Sequence, residues 1–377
     1  MTLMGNEHTP VRCARHQIKT ARQDPLRPEA TRQRIPPLAR FIAMRILMLP
    51  VSVFVIISAS FFLMSLLPGD IARALLGPVA TPSQVARVNS ELGLNQPIFV
   101  RYWRYISDVA HGSLGSSYYT GRAIVKELSS RLPATIELVV PALAIAILLG
   151  ITLGAIGAYY TRRRPDTLAR FGLTVIQSVP DFLLGLLLIL VCFSWLNILP
   201  GPEGQLSFAD SPPPHVTGMY VIDALLAGDG STAVSAIRHL VLPAVTLGVV
   251  YSATLGRTAR ALLGNALTSE YTQFGRACGL PEFRLVRNAV LASRTGLLTY
   301  TAVLIASIIG GDAVVEIVFS WNGVGQYAVQ SMLRQDLPAV EGFVIVVGTL
   351  TVVVYLLLDL ASALLDPRIR FDVSRRS

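Results

Sequence analysis

The sequence predicts an all-α membrane protein: a bundle of about six transmembrane helices with both termini cytoplasmic. Three observations predict it. Only 15% of the 377 residues are charged and 52% are hydrophobic, whereas an average soluble domain carries about 25% charge. Long uncharged runs recur along the chain, and the basic residues gather in blocks between them. A soluble chain of this length would need a charged shell around its core, so a soluble enzyme is excluded. The net charge of +9 comes without an aromatic-interleaved basic stripe, so no nucleic-acid partner is indicated.

Residues 1–43 are basic and polar, with Pro25, Pro28, Pro36 and Pro37, and read as a disordered cytoplasmic tail. No cleavable signal peptide is visible, and a start at Met44 would give a conventional membrane protein. Residues 46–67, 138–160 and 171–196 are apolar runs of 22, 23 and 26 residues, the last broken only by Asp181. Each can cross about 30 Å of hydrocarbon as a helix. Residues 240–255, 296–311 and 342–358 supply three shorter runs of 16, 16 and 17 residues. Their ends must be extended by residues that snorkel or face protein. The long loop at 68–133 contains helical stretches at 83–92 and 98–109, and Pro212-Pro213-Pro214 makes a second loop partly extended. Residues 44–371 form the membrane domain, and 372–377 a short C-terminal tail.

The arginines give the orientation. Residues 1–45, 161–170, 257–294 and 366–377 hold 23 of the 32 basic residues, against nine on the other side. That asymmetry places the first set in the cytoplasm. Cys13, Cys192 and Cys278 form no CxxC pair, so neither a disulfide framework nor a zinc site is indicated.

No GxxxxGK[ST] phosphate loop, HExxH or GxSxG turn occurs. The chain has no recognisable means of holding nucleotide phosphates. The five histidines are scattered, and His239 beside Arg238 reads as an interfacial residue. Glu137, Asp181, Asp312, Glu316 and Asp359 lie in or beside the spans, where burying charge is costly. An ion-coupled carrier would use them as a proton relay. Four of them lie near span ends, where water or a basic partner can satisfy them. Asp181 follows Pro180, at a break where irregular backbone faces protein or a cavity, and is the candidate for the translocation path.

The segment 257–294 is the most informative. Ser269 caps a helix whose first turn carries Glu270. Tyr271, Phe274, Ala277 and Cys278 form an apolar stripe, and Gly279 stops the helix as a C′ glycine. Pro281 and Glu282 open a second helix with Leu285, Val286, Ala289 and Val290 on one face. Two short amphipathic helices joined by glycine call for a partner groove or a membrane surface.

This stretch, from Glu270-Tyr271 through Arg276-Ala277-Cys278-Gly279-Leu280 and preceded by Arg257-Thr258-Ala259-Arg260, resembles the EAA-type coupling loop of bacterial ATP-binding-cassette importer permeases. Further stretches resemble the dipeptide, oligopeptide and nickel branch. They are Leu67-Pro68-Gly69-Asp70, Leu92-Gly93-Leu94-Asn95-Gln96-Pro97, Gly112-Ser113-Leu114-Gly115-Ser116 and Arg131-Leu132-Pro133-Ala134-Thr135. Glu316-Ile317-Val318-Phe319-Ser320-Trp321, Gly323-Val324-Gly325 and Asp366-Pro367-Arg368-Ile369-Arg370 follow in order. Three positions depart from the pattern: Asn322 stands where Pro is common, Ser113 where Asp is common, and Gly296 where a Pro usually follows the coupling loop.

The resemblance implies a permease subunit of the plasma (inner) membrane and no enzyme. It would pair with a second, homologous permease and dock two ATPase subunits through a loop at about 269–290. It would receive solute from an extracytoplasmic binding protein. The coupling residues it implies are Glu270, Tyr271, Phe274, Ala277, Gly279 and Leu285. No cofactor is expected on this chain, ATP and Mg belonging to the ATPases. The 217–228 stretch and His239-Leu240-Val241-Leu242-Pro243 favour dipeptides or oligopeptides over nickel. An ion-coupled secondary carrier is the rival from another class.

Overall fold

The computed structural model describes residues 37–66, 80–91, 93 and 95–365. The expected tail up to residue 36, the Leu67-Pro68-Gly69-Asp70 stretch and the closing motif from Asp366 lie outside the described residues. Helix α1 (Pro37–Leu66) begins seven residues inside the segment expected to be tail. Proline is well tolerated at a first helical position, where its missing N–H costs nothing. Two short helices follow, α2 (Pro82–Glu91) and α3 (Ile98–Ala110), where the helical stretches were expected.

The centre of the bundle is one helix pair. Helix α4 (Ile124–Tyr159) and helix α8 (Gly230–Thr268) run side by side in the same direction along much of their length. Glycines set their separation. A Cβ on Gly154 would lie 2.7 Å from both the Gly256 carbonyl oxygen and Ala259 Cβ, and one on Gly248 would lie 2.6 Å from Ile145 Cβ. Small residues four apart let backbones approach closely, which drives association where lipid supplies no hydrophobic force.

Because α4 and α8 are parallel, the chain must return between them. Helix α5 (Arg164–Ser178) and helix α6 (Asp181–Leu188), which continues as a π-helical stretch Ile189–Trp195, are the apolar segment available for that return. They are bent by 96° at Val179-Pro180. The apolar run expected to span at 171–196 is therefore bent, at the break expected beside Asp181. Pro180 pushes Val179 out of the helical region, to φ −93° and ψ 124°. With this bent pair counted as one span, the described residues hold six segments long and apolar enough to cross a membrane.

The three short apolar runs belong to much longer helices. They are α8, α10 (Glu282–Gly311) and α13 (Leu337–Leu365), the helices before and after α10 being α9 (Glu270–Ala277) and α11 (Ala313–Val318). Helix α7 (Tyr220–Leu226) precedes α8, and α12 (Val324–Leu333) precedes α13. Extension works because polar end residues are satisfied inside the protein. Arg260 of α8 donates from Nε and Nη2 to buried Asp166 of α5 at 2.7 and 2.9 Å. Helices α1 and α13 pack antiparallel, with Arg45 on Asp359 at 2.9 Å and Gly348 against Ile56.

Candidate functional site

At one end of the bundle, α8 turns into α9 through Ser269, in extended backbone at φ −66° and ψ 154°. Ser269 holds the expected cap position, but its side chain does not cap. Its hydroxyl donates back to the Ala266 carbonyl at 2.6 Å, joined there by Thr272 Oγ1 at 2.8 Å. The loop thus hangs from the last turn of α8. Thr272 and Gly275 face inward, and a Cβ on Gly275 would press Leu280 and Leu285 at 3.1 Å.

The stop after α9 forms as expected. Gly279 has φ +78°, its N–H donates to the Arg276 carbonyl at 3.0 Å, and the Leu280 N–H donates to the Gly275 carbonyl at 3.1 Å. This is the Schellman pair of bonds that uses up orphan carbonyls. Arg276 closes the turn onto Glu282 at 2.8 Å, and that contact raises the Arg276 guanidinium above its usual range.

The outward surface is aromatic. Tyr271 is 52% exposed and Phe274 71%, with Glu270, Ala277 and Gly279 also exposed. Leu285 differs from expectation. It is 2% exposed, seated against Gly275, so it supports the loop from inside and does not belong to its exposed face. Phe283, 75% exposed, takes the outward place. The signal was present, since Phe283 falls in the first turn of the helix that Pro281 opens. The second helix is also not short. Starting at Glu282 it runs on without interruption into the span, because Gly296 stands where a proline would have broken it.

A second feature lies inside the bundle. Asp181, at the 96° bend, turns its Oδ1 to accept the Phe182 N–H at 2.7 Å. Asp312, in the break between α10 and α11, faces Asp181 and Tyr251 of α8. Asp312 is 7% exposed, and its Oδ2 is buried with no hydrogen-bond partner among the described residues. Three elements therefore bring two carboxylates and a phenol together at the broken span. Sequence reasoning singled out both aspartates but not Tyr251, which sits in an uncharged run without local distinction.

The other carboxylates are anchors. Glu137 accepts the N–H groups of Tyr220 and Val221 at 3.1 and 2.7 Å, and Gln205 Nε2 at 3.0 Å. Glu316 accepts Thr135 Oγ1 at 2.6 Å and the Gln326 N–H at 2.8 Å. Trp321 Nε1 donates to the Ala134 carbonyl at 2.7 Å, and a Cβ on Gly323 would collide with the Glu316 carboxylate. The stretches 131–135 and 316–325, far apart in sequence, are two halves of one knot.

Comparison with known proteins matches this architecture. Residues 146–371 match the family described as binding-protein-dependent transport system inner membrane component, and residues 38–139 match its N-terminal counterpart. The chain is 40% identical to a probable D,D-dipeptide transport system permease protein, DdpB, of Escherichia coli strain K12, over 82% of this chain and 91% of that protein. It is 32% identical to a dipeptide transport system permease protein, DppB, of Alkalihalophilus pseudofirmus, over 87% of this chain and 99% of that protein. A di/tripeptide transport system permease protein of Pseudomonas aeruginosa is 31% identical, over 88% of this chain and 98% of that protein. With five to six apolar spans, an amphipathic loop stopped by Gly279 and knotted motifs in family order, this chain belongs to the inner-membrane permease components of binding-protein-dependent ATP-binding-cassette transport systems.

Proposed function

We propose that this chain forms half of the translocation path of an ATP-driven importer of dipeptides or short oligopeptides. A second, homologous permease supplies the other half. Two ATPase subunits, which hold ATP and Mg, dock against the 269–290 loop, and an extracytoplasmic binding protein delivers solute at the opposite end. The loop end and both termini face the cytoplasm in this reading, which the 23-to-9 distribution of basic residues supports.

The observation that carries this reading is the aromatic surface of Tyr271, Phe274 and Phe283, exposed on a loop whose inner side is fully packed. Such a face is costly in water and suits a groove on a partner. A stiff loop continuous with two spans can pass a partner's movement into the bundle. Glu270, Ala277 and Gly279 hold or flank that surface, while Leu285 braces it. The relatives, permeases of dipeptide and di/tripeptide transport systems, favour peptides. Asp181, with Asp312 and Tyr251, lines the path where the broken span exposes irregular backbone.

The test is reconstitution. The assembled complex in proteoliposomes, supplied with binding protein and ATP, should accumulate labelled L,L- or D,D-dipeptide and not nickel. Uptake by the chain alone on an ion gradient without ATP would establish the carrier reading instead. Single-cysteine labelling should reach Ser90 and Ser211 from outside, and Thr167 and Ser269 only from inside. Outside labelling at Ser269 would remove the loop from its proposed partner.

A further inference from the structure

Away from the loop and the broken span, at the opposite end of the bundle, a cavity of about 370 Å³ opens beside the first turns of α8. Its size falls within the range of about 300–1,000 Å³ typical of small-molecule sites. Leu199, Pro200 and Val234 give it an apolar wall, and Ser207, Arg238 and His239 give it polar groups.

His239 is not the interfacial residue expected from the sequence. It is 7% exposed, and its Nδ1 lies 2.8 Å from the Ser235 carbonyl oxygen. A carbonyl oxygen only accepts, so Nδ1 carries the proton and Nε2 of the neutral ring is left as an acceptor. Nε2 is buried and has no partner among the described residues. An orphaned ring nitrogen on a polar cavity calls for a donor from a ligand.

Two further acceptors stand beside it. The Ser231 hydroxyl donates to Asp229 Oδ1 at 2.6 Å, and the Ser235 hydroxyl donates to Asp210 Oδ2 at 2.5 Å. With their protons committed to carboxylates, both serine oxygens can only accept from the cavity they line. Hydrogen bonds from Ser231 and Thr232 hold the Asp229 carboxyl at about 2, so negative charge stands behind this wall. Arg238 is the opposite: a permanent cation, positioned by donation from Nη2 to the Ile198 carbonyl at 3.0 Å, that calls for an anion.

One cavity thus presents a set of acceptors backed by negative charge, and a guanidinium beside them. We propose that it is a binding subsite for a zwitterionic short peptide, taking the ammonium on His239 Nε2 and the serine oxygens and the carboxylate on Arg238. This rests on the peptide reading above and adds to it a holding site on the permease itself, at the end where solute would enter.

The test uses the assembled permease–ATPase complex in nanodiscs without binding protein. The probe is a dipeptide carrying a diazirine in one side chain, and cross-links are mapped by mass spectrometry. Adducts should fall in 199–207 and 231–239 and be competed by unlabelled dipeptide. Amidating the probe's carboxyl, or acetylating its amine, should each lower labelling of the wild-type complex about tenfold, the worth of one hydrogen bond to a charged group. Arg238→Gln should abolish the discrimination against the amide while leaving the discrimination against the acetylated probe. Equal labelling by the blocked probes, or adducts only elsewhere, would overturn the subsite. ATP-driven dipeptide uptake by the wild-type transporter is measured in parallel. Its absence would remove the peptide reading, whereas uptake without cavity adducts would remove the subsite alone.

Discussion

The two ends of the bundle solve opposite problems with different chemistry. Within the 269–290 loop the polar anchors are few and local: two hydroxyls on one carbonyl, a glycine stop and an exposed Arg276–Glu282 pair, the long-range Arg260–Asp166 pair lying outside it. Its large aromatic groups face outward. At the other end the aromatic Trp321 is buried and carboxylates do the fastening. Burial would raise Asp223, yet N–H donors from Thr217, Gly218 and Val216, with the Thr217 hydroxyl, hold it below the usual carboxylate range. Asp336 likewise collects donors, accepting the Ser117 hydroxyl and the Tyr118 N–H. A carboxylate that collects backbone donors satisfies irregular loops that have no ladder of their own. The lesson is one of purpose. The loop is fixed from within and leaves its aromatic surface exposed, and the other end is tied across distant loops so that they hold one shape.

Substitutions can break this contrast, beginning with the largest effect. Glu316→Ala leaves Thr135 Oγ1 and the Gln326 N–H without their charged acceptor in a buried site. It should cost about 4 kcal/mol, since each stranded buried donor is worth 1–3. A lower thermal midpoint in detergent and a poor yield of assembled complex would register it. Leu285→Ala tests whether the loop is braced from inside. Emptying that buried site should cost about 3 kcal/mol, read by the same thermal shift. An unchanged midpoint would put Leu285 back on the docking surface.

Gly279→Val acts through the backbone alone, because nothing lies within 4 Å of the Cβ it would add. At φ +78° a β-branched residue should cost about 1–3 kcal/mol locally. Membrane abundance should stay near normal while ATPase stimulation and uptake fall together. Unchanged values in both assays would show that the loop transmits nothing. Phe283→Ala should have the smallest effect on stability, within about 0.5 kcal/mol for an exposed position. Copurification of the ATPases should nonetheless weaken, as it should for Phe274→Ala. If Phe283→Ala destabilised the chain as much as Leu285→Ala, the inside–outside division of the loop would be wrong.

The sequence was most legible where a rule is local. Apolar run length marked the crossings, Gly279 marked the helix stop, and Pro281 marked the next start; each depends on a few neighbouring residues. Ser269 shows the limit, because its position follows from sequence but its hydroxyl had two acceptable partners and chose Ala266. Leu285 and Phe283 show it again. Both are apolar, two residues apart on one helix, and the buried one is the one that meets Gly275 on another helix.

Composition, periodicity and the placement of arginine alone determined that this chain is a helical membrane bundle with an amphipathic loop between two spans. Those are properties of short segments, read against lipid and water. The tertiary structure alone decided that α4 and α8 run parallel, that the third crossing bends at Pro180, and that stretches 131–135 and 316–325 form one knot. It also decided which carboxylates collect donors and which atoms, Asp312 Oδ2 and His239 Nε2, are left without them. A side chain's partner is set by which distant segment arrives beside it, and that arrival is fixed by packing of the whole bundle.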